Sequence, residues 1–173
     1  MKHIPKPHKN EYPAYADQYI SLLANDGLIL QHLADSLETN LAFIKGLSEE
    51  QLLYRYAEGK WSIKEILVHI IDDERIYAYR ALRFARGDST EIPGFDQDAF
   101  AAQSFANERP LPSILKEYSA IRQATIALFE SFDDDVLLRM GVADGNRNSV
   151  RALLYHIAGH ELRHFTVIRE RYL

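Results

Sequence analysis

Three histidines, His156, His160 and His164, stand four residues apart in the stretch LLYHIAGHELRHFTVI near the C-terminus. On a helix, imidazoles one turn apart lie on the same side, so two neighbours can chelate one ion with little reorganisation. All three in such a row cannot share it, and a tridentate site needs a ligand from another element. The chain has no cysteine, which leaves imidazole and carboxylate as its strong ligands. Helical phase separates the three histidines. The apolar face of their segment centres on Val150, Leu153, Ile157, Phe165 and Ile168. His164 lies roughly 50° from that centre, His160 about 90° and His156 about 130°. His160 and His164 are therefore the expected ligands, and His156 an extra on the surface or one layer behind. His69 sits at the edge of a second apolar face, made by Ile63, Ile66, Ile70 and Tyr77, from which it could supply a third nitrogen. The alternative for His69 is a hydrogen-bonded core histidine.

Several charged residues belong to the same question. Glu161 and Glu74 fall near the centres of their apolar faces, where an ionised group needs a partner. They are either acceptors for ligand-histidine N–H groups or bases acting on water, or else members of an internal ion pair with an arginine such as Arg75, Arg80 or Arg163. Asp73, one turn after His69, is a second candidate base, with a solvated edge position as the alternative. Arg80 is close to His69 and Asp73 by phase and is a candidate contact for an anionic substrate. The segment HELRH matches the His-Glu-x-x-His pattern of zincins through His160, Glu161 and His164. A zincin also needs a strand-bearing domain and a ligand further downstream, whereas only residues 165–173 follow. No G-x-S-x-G elbow, Walker or dinucleotide glycine pattern offers another chemistry.

The elements that must carry these residues are helical. Leu30, Leu33, Leu37, Leu41 and Ile44 predict a first long helix from Leu28, closed by Gly46, and SEEQLLYRY adds a short turn. KWSIKEI opens the second, with Ser62 as N-cap, Glu65 closing a capping box and Trp61 placed to staple onto Ile66, and this helix should run to about Arg86. RGDSTEIPGFDQDAF is longer than a bundle connection needs and is a candidate cover for a site. Pro110 and Pro112 open a third helix with Ile114, Leu115, Tyr118, Ile121, Thr125, Leu128 and Phe129 on one face; MGVADGNRN reads as a loop; and Ser149 caps the last helix. The expectation is an all-α four-helix bundle over residues 15–173, preceded by an extended surface arm over 1–14, where three of the prolines lie.

A net charge of −5 with no Lys/Arg cluster lacks the footprint of a phosphate-backbone binder, so no nucleic-acid partner is expected. No apolar run approaches a membrane span and no leader is evident, which predicts a soluble, cytoplasmic protein without a membrane partner.

The segments GKWSIKEILVHIIDDERIYAYRALRFARGD, PGFDQDAF and VRALLYHIAGHELRHFTVIRERYL together resemble the DinB/YfiT-like superfamily, nearly from KNEYPAYADQYI onward. The resemblance implies a down-up-up-down bundle in which His69, His160 and His164 hold a divalent metal, Zn or Ni first among the candidates, with His156 as an extra. It implies a metal-dependent hydrolase acting on a small molecule, or a low-molecular-weight-thiol S-transferase of the bacillithiol or mycothiol type, and family members are often homodimers. A non-catalytic metal- or ligand-binding bundle is the reading from a different class.

Overall fold

The computed structural model describes residues 1–173. Along the chain run α1 (Asp17–Ile20), α2 (Ile29–Lys45), α3 (Glu49–Leu53), α4 (Ile63–Ala85), α5 (Gln97–Gln103), α6 (Leu111–Glu130), α7 (Asp134–Leu137), β1 (Met140–Ala143), β2 (Asn146–Ser149) and α8 (Val150–Arg171). Side-chain pairs fix the directions of the four long helices. Arg122 of α6 reaches the carbonyl of Leu33 while Tyr118 reaches Asn40, so α2 and α6 run antiparallel. Ser62 meets Asn107 at the entrance to α6, and Glu74 meets Arg122 further along, so α4 and α6 run parallel. His69 faces His160, and Asp73 faces both His160 and His156, so α8 runs against α4. The result is a down-up-up-down bundle in which α4 packs on α6 and α8, and α2 packs on the same two helices from the opposite corner.

Local chemistry sets the helix ends. The Ser62 hydroxyl accepts the Glu65 N–H at 3.2 Å, and the Glu65 carboxylate accepts the Ser62 N–H at 2.6 Å, the reciprocal cap that KWSIKEI predicts. Ser149 caps α8 through the Ala152 N–H, and a proline lies in the first turn of α6.

The segment MGVADGNRN departs from expectation. It contains a two-stranded antiparallel hairpin, β1–β2, turned by Asp144 and Gly145 at φ +53° and +69°. Two successive positive-φ residues make the turn whose twist matches paired strands, and Asp-Gly is a favoured sequence for it. The hairpin anchors the 87–110 connection. Ile92 donates to the Val142 carbonyl at 3.1 Å and accepts from Asp144 N–H at 2.9 Å. Gly94 passes so close that a Cβ there would lie 2.3 Å from the Asp144 carboxylate.

The N-terminal arm is more than a surface strand. Ile4 is fully buried, its carbonyl accepts the Tyr155 hydroxyl at 2.8 Å, and Glu11 pairs with Arg151. With α1, the arm covers the flank of α8 that four helices alone would leave in water. Every residue from Val150 to Glu161 is consequently buried. Gly159 makes the approach of α1 possible, since a Cβ there would fall 2.4 Å from the Tyr19 carbonyl oxygen.

Candidate metal centre

His69 from α4 and His160 and His164 from α8 bring their imidazoles to one point. The Nε2 atoms of His69 and His160 are 3.0 Å apart, those of His160 and His164 are 3.1 Å apart, and the three residues' ligand atoms all lie within 4.8 Å of one another. Nitrogens about 2.0–2.1 Å from one tetrahedral ion would stand roughly 3.3 Å apart. Two neutral imidazoles facing each other through Nε2 can share only one proton, whereas a cation satisfies all three lone pairs. His69 and His160 are buried and His164 is half-buried.

The electrostatics suit ligation. Burial pushes the pKa of His69 and of His160 down, with neighbouring imidazoles adding to the effect and Asp73 opposing it. Burial and the His69 ring lower His164 to about 4. All three are therefore neutral near pH 7, the form that binds a metal. Burial alone would raise the Asp73 carboxyl, but the imidazoles of His160 and His156 beside it hold it well below the usual carboxylate range. Its Oδ2 lies 3.3 Å from His160 Nδ1 and 3.6 Å from His156 Nε2, close enough for charge to act on both, without a hydrogen bond to either. Asp73 thus stands on the far side of His160 from the converging nitrogens.

Aromatic rings wall the centre. Trp61 lies against His69 with ring centroids 4.7 Å apart, and Tyr19 meets the rings of His156 and His160 edge-on at 5.0 and 5.4 Å. The open side is a cavity of about 210 Å³ beside His164, lined by Tyr56, Lys60, Trp61, Tyr172 and, from α5, Asp98. The 87–110 connection therefore does reach the site, through α5.

Other expected residues sit elsewhere. Glu161 turns away from the histidines. Its carboxylate accepts from Tyr118, Arg122 and, at 3.2 Å, Asn40, while Glu74 accepts from Arg122 Nε and Nη2 at 3.0 and 2.9 Å. The expectation that Glu161 acts as a base or holds a ligand histidine is corrected accordingly. Its ion pair is real, but the partner is Arg122, not Arg75, Arg80 or Arg163. Arg80 is also not at the centre, because phase is not distance: eleven residues beyond His69 amount to about 16 Å along a helix. Its guanidinium lies over the Tyr77 ring at 4.8 Å. His156 is buried, contrary to a surface reading, and stacks flat on Tyr77 at 3.8 Å. Tyr19 and Asp98 were not singled out by sequence. The only trace of Asp98 was its place in the long connection, and Tyr19 lay in a segment with no readable periodicity.

Residues 32–168 match the model of the DinB superfamily. A protein of Oceanobacillus iheyensis named "Putative metal-dependent hydrolase" is 30% identical over 128 residues, covering 73% of each chain. Among solved structures, YfiT from Bacillus subtilis, described as a probable metal-dependent hydrolase with an unusual four-helix bundle topology, superposes with a TM-score of 0.70 at 16% identity, over 96% of this chain and 91% of that one. Matched over most of its length and carrying three histidines turned to one point, the chain belongs to the DinB superfamily.

Proposed function

We propose that this protein is a metal-dependent hydrolase of a small molecule, with His69, His160 and His164 as ligands. The observation that carries the proposal is the convergence of three neutral imidazoles beside a cavity. The name of the Oceanobacillus relative supports the hydrolytic reading. Three nitrogen ligands favour Zn²⁺ or Ni²⁺ over Mg²⁺ or Ca²⁺. A cation held here would supply the Lewis acidity that makes water nucleophilic near neutral pH.

The chain's own residues do the rest. Asp73 lends negative charge to His160 from behind, which raises the basicity of the ring. Trp61 and Tyr19 exclude water from the flanks of His69 and His160. Asp98 faces the cavity from α5, where its carboxylate can accept a proton from an incoming polar group.

The test uses untagged full-length protein, its metal content, and a panel of esters, amides and phosphoesters assayed with and without low-molecular-weight thiols. His69→Ala should lose bound metal and turnover together, and Asp73→Asn should keep the site but weaken metal affinity about 10–100-fold. Turnover unchanged in His69→Ala would sink the proposal. Activity that appears only when a thiol is added would convert it to thiol transfer at the same centre.

A further inference from the structure

Asp73 is a buried carboxylate that no lysine or arginine neutralises. Glu74 and Glu161 share Arg122, whereas the basic groups beside Asp73 are the imidazoles of His156 and His160 alone. Two buried atoms here lack any hydrogen-bond partner, Asp73 Oδ2 and His156 Nε2, and they lie 3.6 Å apart. Burying an ionised oxygen without a donor is costly. An N–H···O bond closes at about 2.7–3.2 Å, so the two unpartnered atoms stand only a few tenths of an ångström beyond bonding distance.

His156 is the fixed member of this pair. It is 5% exposed, stacks on Tyr77 with ring centroids 3.8 Å apart and planes 1° from parallel, and meets Tyr19 edge-on at 5.0 Å. Its ring lies beside that of His160, with centroids 5.6 Å apart, but it takes no part in the convergence of His69, His160 and His164. The remaining link follows from ligation itself. A His160 that gives its Nε2 lone pair to a cation keeps its ring proton on Nδ1, the atom 3.3 Å from Asp73 Oδ2. One carboxylate oxygen then stands between two N–H groups, one on a ligand and one on a ring clamped by two tyrosines.

We infer that His156 is a positioning residue: its Nε2–H holds the Asp73 carboxylate in place against His160 Nδ1, and through Asp73 it sets how tightly His160 binds a cation. The inference rests on the three-histidine ligand set of the proposed function. The row of three histidines at four-residue spacing thus divides into two ligands and one anchor for the carboxylate behind them.

Zinc titrations in competition with a chromogenic chelator, on untagged full-length protein, test it. His156→Phe keeps a ring for the Tyr77 stack and removes the nitrogen, and should weaken Zn²⁺ binding about tenfold. His156→Gln, whose amide N–H reaches the place of Nε2, should recover most of that affinity. In an Asp73→Asn background His156→Phe should cost less than about twofold, because its effect passes through the carboxylate. A merely structural role would lower affinity equally in both backgrounds. Should His156→Phe not fold, proton–nitrogen correlation spectra of the metal-free wild type and of Asp73→Asn decide. His156 should carry its proton on Nε2, and that resonance should move in Asp73→Asn. Wild type that binds no Zn²⁺ would sink the ligand set, and this inference with it. Zn²⁺ held equally by wild type and His156→Phe, an equal loss in both backgrounds, a Gln variant as weak as the Phe one, a His156 proton on Nδ1 alone, or an Nε2–H resonance unmoved in Asp73→Asn would overturn the inference and leave the ligand set standing.

Discussion

At the scale of single residues, the three-histidine cluster is a set of groups whose protonation is displaced by burial. His164 titrates near 4 in the fold against an ordinary 6.5, and His69 and His160 are displaced in the same direction. Between these values the unfolded chain binds protons that the folded chain does not, so metal-free protein should lose stability as pH falls from about 6.5 towards 4. Below that window the contribution of His164 levels off. Melting temperatures of metal-free wild type and His164→Gln between pH 7.5 and 4.5 check this, and the wild type should show the steeper decline. The shared orientation of His160 and His164 is readable from spacing and phase, because a four-residue repeat and the side of a helix are local properties; that His69 joins them is what the family resemblance implies. For Glu161 the ion-pair alternative holds, and only its partner is hidden from the sequence. Its inward phase was correct, but an inward position has several neighbours, and phase does not say which.

At the scale of elements, what could be read depended on how local the cause was. Ser62 and Glu65 cap α4 as expected, since the whole motif lies within four residues. The β1–β2 hairpin was missed because its strands are four residues each and alternate poorly, although Asp144-Gly145 carried the turn signal. The first half of α8 misled in another way. Periodicity analysis assumes that a helix has one wet face, and here the arm and α1 occupy that face, so His156 is buried where phase put it outside. Gly159 is the residue through which that covering can be tested. Alanine favours a helix over glycine by up to about 1 kcal/mol, yet Gly159→Ala should destabilise the protein, since the new methyl meets the Tyr19 backbone and overpacking costs about 1–3 kcal/mol. Hydrogen exchange should locate the loosening in α1 and at Tyr19, with α6 unaffected.

At the scale of the whole molecule, one side chain ties the four long helices together. Arg122 of α6 is fully buried; it pairs with Glu74 of α4 and Glu161 of α8, and donates to the Leu33 carbonyl of α2 at 2.9 Å. Nothing in the local pattern marked it, because its partners are 39 to 89 residues away. Arg122→Ala would leave two carboxylates buried without a cation, and the expected loss is about 3–5 kcal/mol, measurable by urea denaturation. Arg122→Lys should recover only part of that, since a single ammonium cannot replace the fork that reaches all these acceptors.

The covering of α8 by the arm and α1 also decides how the three-histidine cluster communicates with its surroundings. With Tyr19 closing the rear and Trp61 one flank, the half-buried edge of His164 is the open approach. A cation held by the three histidines would be reached through the cavity beside His164. A molecule resting among Tyr56, Trp61 and Tyr172 would stand in that approach and slow the capture of such a cation by a chelator for as long as it stays.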